Sequence, residues 1–180
     1  MTPEREKIIF DDFKNAGDDI PYCKRLILQE IYKDPDIFEV LNNTELIEAG
    51  AAPEDYYNKN IFSRLKIPDS QSEVKNFICF EVNDVEEIYH NPGKIRKRVI
   101  FRTVSHQDDV ITKYGIDRQD LLGFLIKERF NWSGVIGMSL QKIYDTGKVS
   151  ENGYYYRDIY FEQTRANLAQ SGTTNTYDRG

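Results

Sequence analysis

The chain has 180 residues, a hydrophobic content of 39% and a formal net charge of -6 at pH 7. This length supports one well-buried core and is too short for two full domains and a linker. The net negative charge argues against a protein that binds DNA phosphates tightly, because duplex-binding modules present a basic face. The 12 tyrosines and 10 phenylalanines supply enough apolar surface for a folded chain.

The cysteines and the N-terminal residues indicate the cellular compartment. Cys23 and Cys79 are far apart and each has apolar neighbours, which predicts buried free thiols without a disulfide or a metal site. Acids and bases precede the first apolar residues, which is not typical of a secretory signal. No apolar run approaches the roughly 18 residues of a membrane span. We therefore expect a protein made and kept in a reducing, cytosol-like compartment, with no membrane partner.

The first third of the chain has helical patterns. Residues 3–13 are predicted to form a short amphipathic helix or an arm that docks on a neighbouring subunit. A helix is predicted from Pro21, since proline is well tolerated in a first turn. A second helical piece covers Ile37 to Leu41, and the pair Asn42 and Asn43 is predicted to end it.

Residues 43–72 show no regular pattern. They contain Gly50, Pro53 and Pro68, the aromatic pair Tyr56 and Tyr57, and an apolar patch that includes Phe62. A connection of this length is usually functional or is ordered by a partner. We therefore count Tyr56, Tyr57 and Phe62 among the candidate interface residues.

The second half alternates as strands on both sides of one helix. Strands are predicted at Val74–Val82, Ile95–Val104, Ile136–Tyr144 and Tyr154–Phe161. Between the second and third strands, Asp117 is the predicted N-cap of a helix, with Asp120 three positions later in a capping-box arrangement. The buried stripe of this helix consists of Leu121, Leu122, Leu125 and Ile126.

These elements predict an α+β fold. We expect an antiparallel four-stranded sheet in ββαββ order, packed by one or two helices, with an irregular 43–72 connection. Residues 1–165 would form this single domain, and residues 166–180 a flexible polar C-terminal tail, because they lack the apolar mass to fold alone.

Residue patterns for catalysis are weak. His90 and His106 each stand beside turn or loop residues, which favours surface positions over metal ligands. A metal-dependent nuclease could use Asp69 and Glu81, with Asp108 as a third acid, but the second acid and the lysine expected beside Glu81 are missing. We expect no catalytic residue, no metal ligand and no cofactor, and hence not an enzyme.

The tyrosines of the last strand are the strongest indication of function. Tyr154, Tyr156 and Tyr160 share one face of that strand, and Arg98 and Arg102 share a mixed face of the second strand. Either the tyrosines pair across strands within the chain, or they form a protein interface, where tyrosine is enriched. Both readings stay open, and we name these five residues as candidate interface residues.

The chain resembles the tail-terminator and related neck proteins of tailed bacteriophages over roughly residues 20 to 165. The resemblance rests on the element order and on four stretches of sequence. These are Phe77-Ile78-Cys79-Phe80-Glu81-Val82, Val104-Ser105-His106, Ile111-Thr112-Lys113-Tyr114-Gly115-Ile116-Asp117-Arg118-Gln119-Asp120-Leu121 and Gly153-Tyr154-Tyr155-Tyr156-Arg157-Asp158-Ile159-Tyr160-Phe161.

This resemblance implies a structural virion protein of the neck that forms a ring, commonly a hexamer. Its implied partners are copies of itself, the tail tube protein and the head-completion or connector proteins, with DNA passing through the lumen without specific binding. The resemblance favours a tail terminator. The alternatives are a head-completion (stopper or adaptor) protein on the portal side and, with less support, the metal-dependent nuclease.

Overall fold

The computed structural model describes residues 2–8, 19–65, 75–85, 94–136, 139–149 and 153–166. Its helices are α1 (Asp19–Ile31), α2 (Pro35–Leu41), α3 (Thr44–Glu48) and α4 (Arg118–Phe130), with short 3₁₀ helices at Pro53–Tyr56 and Gln107–Asp109. Its strands are β1 (Ile61–Phe62), β2 (Phe77–Val85), β3 (Lys94–His106), β4 (Gln141–Val149) and β5 (Tyr154–Ala166). Residues 3–8 are also helical.

The strands form one mixed sheet in the order β1-β2-β3-β5-β4. The four longer strands pair with one another in antiparallel fashion, whereas β1 runs parallel to β2. The α+β class is thus confirmed, but the expectation of a four-stranded, wholly antiparallel sheet is wrong. Two residues of β1 were too few to show the alternation by which a strand is recognised in sequence.

One face of the sheet is covered by helices and holds the main core. Alternate residues of the central strands point to this face, where they pack against α1, α2 and α4. Phe101 is at the centre, with its ring 4.8 Å from that of Phe130 and 5.8 Å from that of Phe161. The predicted stripe of α4 is confirmed, since Leu122, Leu125 and Ile126 are buried and Leu121 is half-buried.

A buried arginine connects the helical layer to the sheet. Arg118, at the start of α4, donates from Nη1 to the Val40 carbonyl at 2.8 Å and from Nε to the Asp109 carbonyl at 2.9 Å. Its Nη2 also donates to Asp109 Oδ1 at 2.8 Å. Asp109 Oδ2 accepts from the side-chain amides of Asn42 and Asn76, which ties α2 to the entrance of β2. A polar network therefore fixes the position of the N-terminal helices.

Several local expectations need correction. The 43–72 connection is partly regular, because it contains α3, a 3₁₀ helix and β1 within its described part. Asn43 explains α3, since its side chain accepts a hydrogen bond from Leu46 N as an N-cap. Asp117 does precede α4 as predicted, but its side chain makes no capping hydrogen bond to the backbone.

The third long strand lies later in the chain than expected. β4 is Gln141–Val149, so Thr146 and Gly147 lie within the strand, whereas the predicted strand ended at Tyr144. Ile136 and Leu140 are buried in the core ahead of it. β5 continues to Ala166, which pairs with Lys94 and therefore belongs to the sheet and not to the predicted tail. Asp69, His90 and residues 167–180 lie outside the described residues.

Candidate functional site

The second face of the sheet, opposite the helices, brings together most of the predicted interface residues. Antiparallel register places Ile100 opposite Tyr160 and Val104 opposite Tyr156, with Arg98 and Arg102 on the same face of β3. We call Arg98, Arg102, Tyr156 and Tyr160 the tyrosine–arginine face. Its residues come from the two central strands, so the rigid part of the sheet sets their spacing.

The arginines of this face are paired across the strands. Arg102 donates to both carboxylate oxygens of Asp158, and Arg98 donates to Glu162 from Nε at 2.7 Å. The hydrogen bonds that Arg102 donates to Asp158 raise the pKa of Arg102 above its ordinary value, so Arg102 keeps its charge. The two ion pairs neutralise the face, which makes it an unfavourable surface for binding phosphate groups.

The tyrosines of this face are half-buried and in contact with their neighbours. The Arg102 guanidinium lies 4.7 Å from the centre of the Tyr156 ring, a cation–π contact. The Tyr160 ring meets that of Tyr144 edge to face, with 5.3 Å between ring centres. Tyr144, on β4, is 50% exposed. The face thus combines pairing within the chain with aromatic surface that remains accessible.

Three of the predicted residues are buried in the chain itself. Tyr154 is only 4% exposed and packs with Phe62 and Cys79 in a second small cluster under the far end of the face. Tyr56 belongs to the main core, beside Phe38. A side chain buried in this way offers little surface to a partner, because its apolar area is already removed from water. We therefore leave Tyr56, Phe62 and Tyr154 out of the proposed interface.

Tyr57 is the remaining predicted residue and lies apart from the face. Its side chain is half-buried, and its hydroxyl hydrogen-bonds with that of Ser63 at 2.8 Å, next to β1. Its assignment to an interface stays a prediction.

An exposed surface that the sequence did not indicate runs along β4, at one edge of the sheet. Among the described residues, the side of β4 that faces away from β5 has no strand partner. Exposed apolar and basic side chains occupy the strand and the turn before it. We call this set the β4 edge surface: Trp132, Lys142, Ile143, Tyr144, Lys148 and Val149.

The turn that presents Trp132 is held in an unusual conformation. Trp132 has φ of +64° and is 66% exposed. Such left-handed backbone costs about 1–3 kcal/mol for a residue with a side chain and persists only where the surroundings enforce it. Here the Trp132 N–H donates to the Leu140 carbonyl at 2.6 Å, and the Lys142 N–H donates to Asn131 Oδ1 at 3.1 Å. The turn and β4 therefore form one rigid unit.

An ion-pair cluster anchors β4 from the helix side. Arg157 donates from Nε to Asp145 Oδ1 at 2.6 Å and from Nη2 to Oδ2 at 2.9 Å, and Lys127 of α4 lies 3.0 Å from the same carboxylate. Burial raises the pKa of Asp145, but the hydrogen bonds from Arg157 and Lys127 together outweigh it and leave the pKa below its ordinary value. Asp145 thus stays charged and holds the edge strand to α4.

The candidate nuclease residues are not brought together in the described part of the chain. Glu81 is half-buried on β2, whereas Asp108 is exposed in the 3₁₀ helix after β3 and lies 3.5 Å from His106 Nδ1. No group of three or more His, Cys, Asp or Glu within the described ranges is placed to hold a metal ion. None of the helices in those ranges is both long and apolar enough to span a bilayer.

Comparison with curated proteins finds no match to the chain. The model of the YomW family matches residues 33–163, which include β1 to β4 and most of β5. The name of this family is phage-derived and points to a phage origin without assigning a role. Since the match covers more than half of the sequence, the chain belongs to the YomW family.

Proposed function

We propose that this chain is a structural subunit of the neck of a tailed phage, and specifically the tail terminator. In this role, copies of the chain form a ring that caps the tail tube and joins it to the head connector. The phage-derived family name and the resemblance to neck proteins support this proposal. Its partners would be other copies of itself, the tail tube protein and the head-completion proteins, with DNA passing through the ring.

The observation that carries the proposal is the tyrosine–arginine face. Its charges are paired across β3 and β5, and its tyrosine side chains are only half-buried, so part of their area stays accessible. Tyrosine and arginine are enriched where proteins contact each other, whereas lysine and unpaired acids are depleted there. A rigid, neutralised aromatic surface is suited to contact another folded protein such as the tail tube. The net charge of -6 separately fits a ring through whose lumen DNA must slide without binding.

Mass measurement of the purified protein, alone and with tail tubes, tests the proposal. We expect a ring-sized oligomer that binds tube ends, and electron micrographs should show a ring with a central hole. Tyr160→Ala should weaken tube binding while circular dichroism shows a folded chain. Tyr114→Ala is the matched control, because Tyr114 is 62% exposed but lies on the loop after β3.

Three outcomes would count against the tail terminator. A strict monomer that ignores both the tube and the connector would contradict any role in the neck. A ring that binds the connector and not the tube would replace the tail terminator with a head-completion protein. Cleavage of DNA that depends on magnesium or manganese, and that Asp69→Ala abolishes, would support the nuclease instead.

A further inference from the structure

The β4 edge surface has features of a lateral protein contact. Its exposed side chains include Trp132, Ile143 and Tyr144, and tryptophan and tyrosine are the residues most often dominant in protein interfaces. Lys142 and Lys148 give the same edge a basic character. Lys142 Nζ lies 4.0 Å from Asp145, but that carboxylate is already held more closely by Arg157 and Lys127. The surface is therefore apolar and positively charged.

An acidic surface lies at the other edge of the sheet, near β1. From residue 34 to residue 58 the sequence contains acids and no lysine or arginine. On α3 and the following 3₁₀ helix the exposed acids are Glu45, Glu48, Glu54 and Asp55, with Ile47 50% exposed among them. We call Glu45, Ile47, Glu48 and Glu54 the acidic edge surface.

The position of this acidic segment follows from its contacts with the β1 side of the sheet. Asn43, the N-cap of α3, donates from Nδ2 to Asn60 Oδ1 at 2.6 Å, and Asn60 directly precedes β1. The side chain of Asn60 in turn contacts the residue before β2, because its Nδ2 donates to the Asn76 carbonyl at 2.8 Å. The acidic edge surface thus lies near β1, and in the part of the chain that the structure describes β1 and β4 are the outermost strands of the sheet.

We propose that the β4 edge surface of one copy binds the acidic edge surface of the next copy. The two surfaces carry opposite charge, each includes exposed apolar side chains, and they lie at opposite edges of one rigid sheet. A contact between two different patches of the same chain is heterologous, and it generates a ring when the rotation between neighbours closes. This inference rests on the self-assembly in the proposed function and identifies the surfaces that carry it.

The contact is made by side chains and not by adding a strand to the sheet. β4 has a register irregularity between Lys142 and Tyr144 and carries lysines, both of which discourage edge-to-edge strand pairing. The acidic edge surface is helical, so it offers no strand to pair with β4. Lysines of one copy would instead face glutamates of the next around a contact that includes Trp132 and Ile47.

Charge reversal tests the contact. The double variant Lys142→Glu with Lys148→Glu, and separately Glu45→Lys with Glu48→Lys, should each raise the dissociation constant of self-association about tenfold or more. Mixing these two variants should restore assembly, because each then meets a complementary edge on both sides. The wild-type association should also weaken as salt concentration rises.

The control is Arg25→Glu with Lys33→Glu on and just after α1, which changes the net charge by the same amount as the lysine variant. It should assemble as the wild type does, and thermal melting followed by circular dichroism should show that every variant is folded. If the wild type assembles and the charge-reversed variants match the control, this contact is refuted while the proposed function stands. If the wild type never assembles, both fail.

Discussion

Arg102 and Asp158 lie directly opposite each other on β3 and β5, and the guanidinium donates to both carboxylate oxygens, at 2.6 Å from Nε and 2.9 Å from Nη2. Asp158 is only 2% exposed. Asp158→Asn keeps the shape but removes the charge that pairs with Arg102. Loss of hydrogen bonds to a charged group should lower the free energy of unfolding by about 1–3 kcal/mol. Urea denaturation measures this change, with Glu48→Gln on exposed α3 expected to stay within about 0.5 kcal/mol.

Arg118→Lys should loosen the N-terminal helices. Lysine keeps the charge but lacks the planar fork that reaches the Val40 carbonyl, the Asp109 carbonyl and Asp109 Oδ1 together. We expect a loss of about 1.5–3 kcal/mol and faster amide hydrogen exchange in α2. Arg129→Lys is the control, because Arg129 is more exposed and binds Glu30 and Asp34 near the surface. Equal exchange rates in α2 of both variants would contradict this role of Arg118.

Gly123→Ala tests how closely α4 approaches β5. Alanine is normally better than glycine inside a helix by about 1 kcal/mol. A Cβ at position 123, however, would lie 2.8 Å from Arg157 Cδ and 3.3 Å from Ile159 Cδ1. Because Arg157 is held by Asp145 and Asp120, we expect the variant to be destabilised by about 1–3 kcal/mol.

The same substitution elsewhere supplies the comparison for Gly123. A Cβ at Gly134 meets nothing within 4 Å, so Gly134→Ala should change thermal stability little. The cost of Gly123→Ala should also shrink in an Asp145→Asn background, where Arg157 is freer to move. A double-mutant cycle by urea denaturation measures this coupling. If the two changes in the free energy of unfolding are additive, the Arg157 side chain moves away from the new Cβ without an energetic cost.

Asp145 should make the protein sensitive to acid. Its pKa in the folded chain is below the ordinary value of 3.8, so the folded state binds this proton more weakly than the unfolded state. The resulting stabilisation is fully present above the unfolded pKa and is lost as the pH falls through the folded pKa. Unfolding measured between pH 7 and pH 2 should therefore show Asp145→Asn less stable than the wild type at pH 7, with the gap narrowing below about pH 4. A gap independent of pH would assign the effect to packing.

Elements with long periodic patterns could be predicted from the sequence. The α4 stripe was identified at helical spacing, and the alternation around Phe101 and Ile159 placed two strands that contribute the centre of the core. The shared face of Arg98, Arg102, Tyr156 and Tyr160 also follows from alternation, once β3 and β5 are neighbours in the sheet.

Features set by tertiary contacts could not be predicted. β1 exists because Ile61 and Phe62 pair with Ile78 and Cys79, and two residues have no period of their own. Ile136 and Leu140 mimic the alternation of a strand, yet they are buried beside the turn that precedes β4. The complementary edges likewise depend on strand order, which brings β1 and β4 to opposite sides although neither segment shows this alone.

Trp132 is the single tryptophan of the chain and stands largely in water on a rigid turn. Its indole therefore dominates the intrinsic fluorescence excited at long ultraviolet wavelengths, and that emission reports the polarity around one position. Burial of this ring by any partner would shift the emission to shorter wavelength without an added label. The molecule thus has a built-in optical probe at the very edge where a neighbour would arrive.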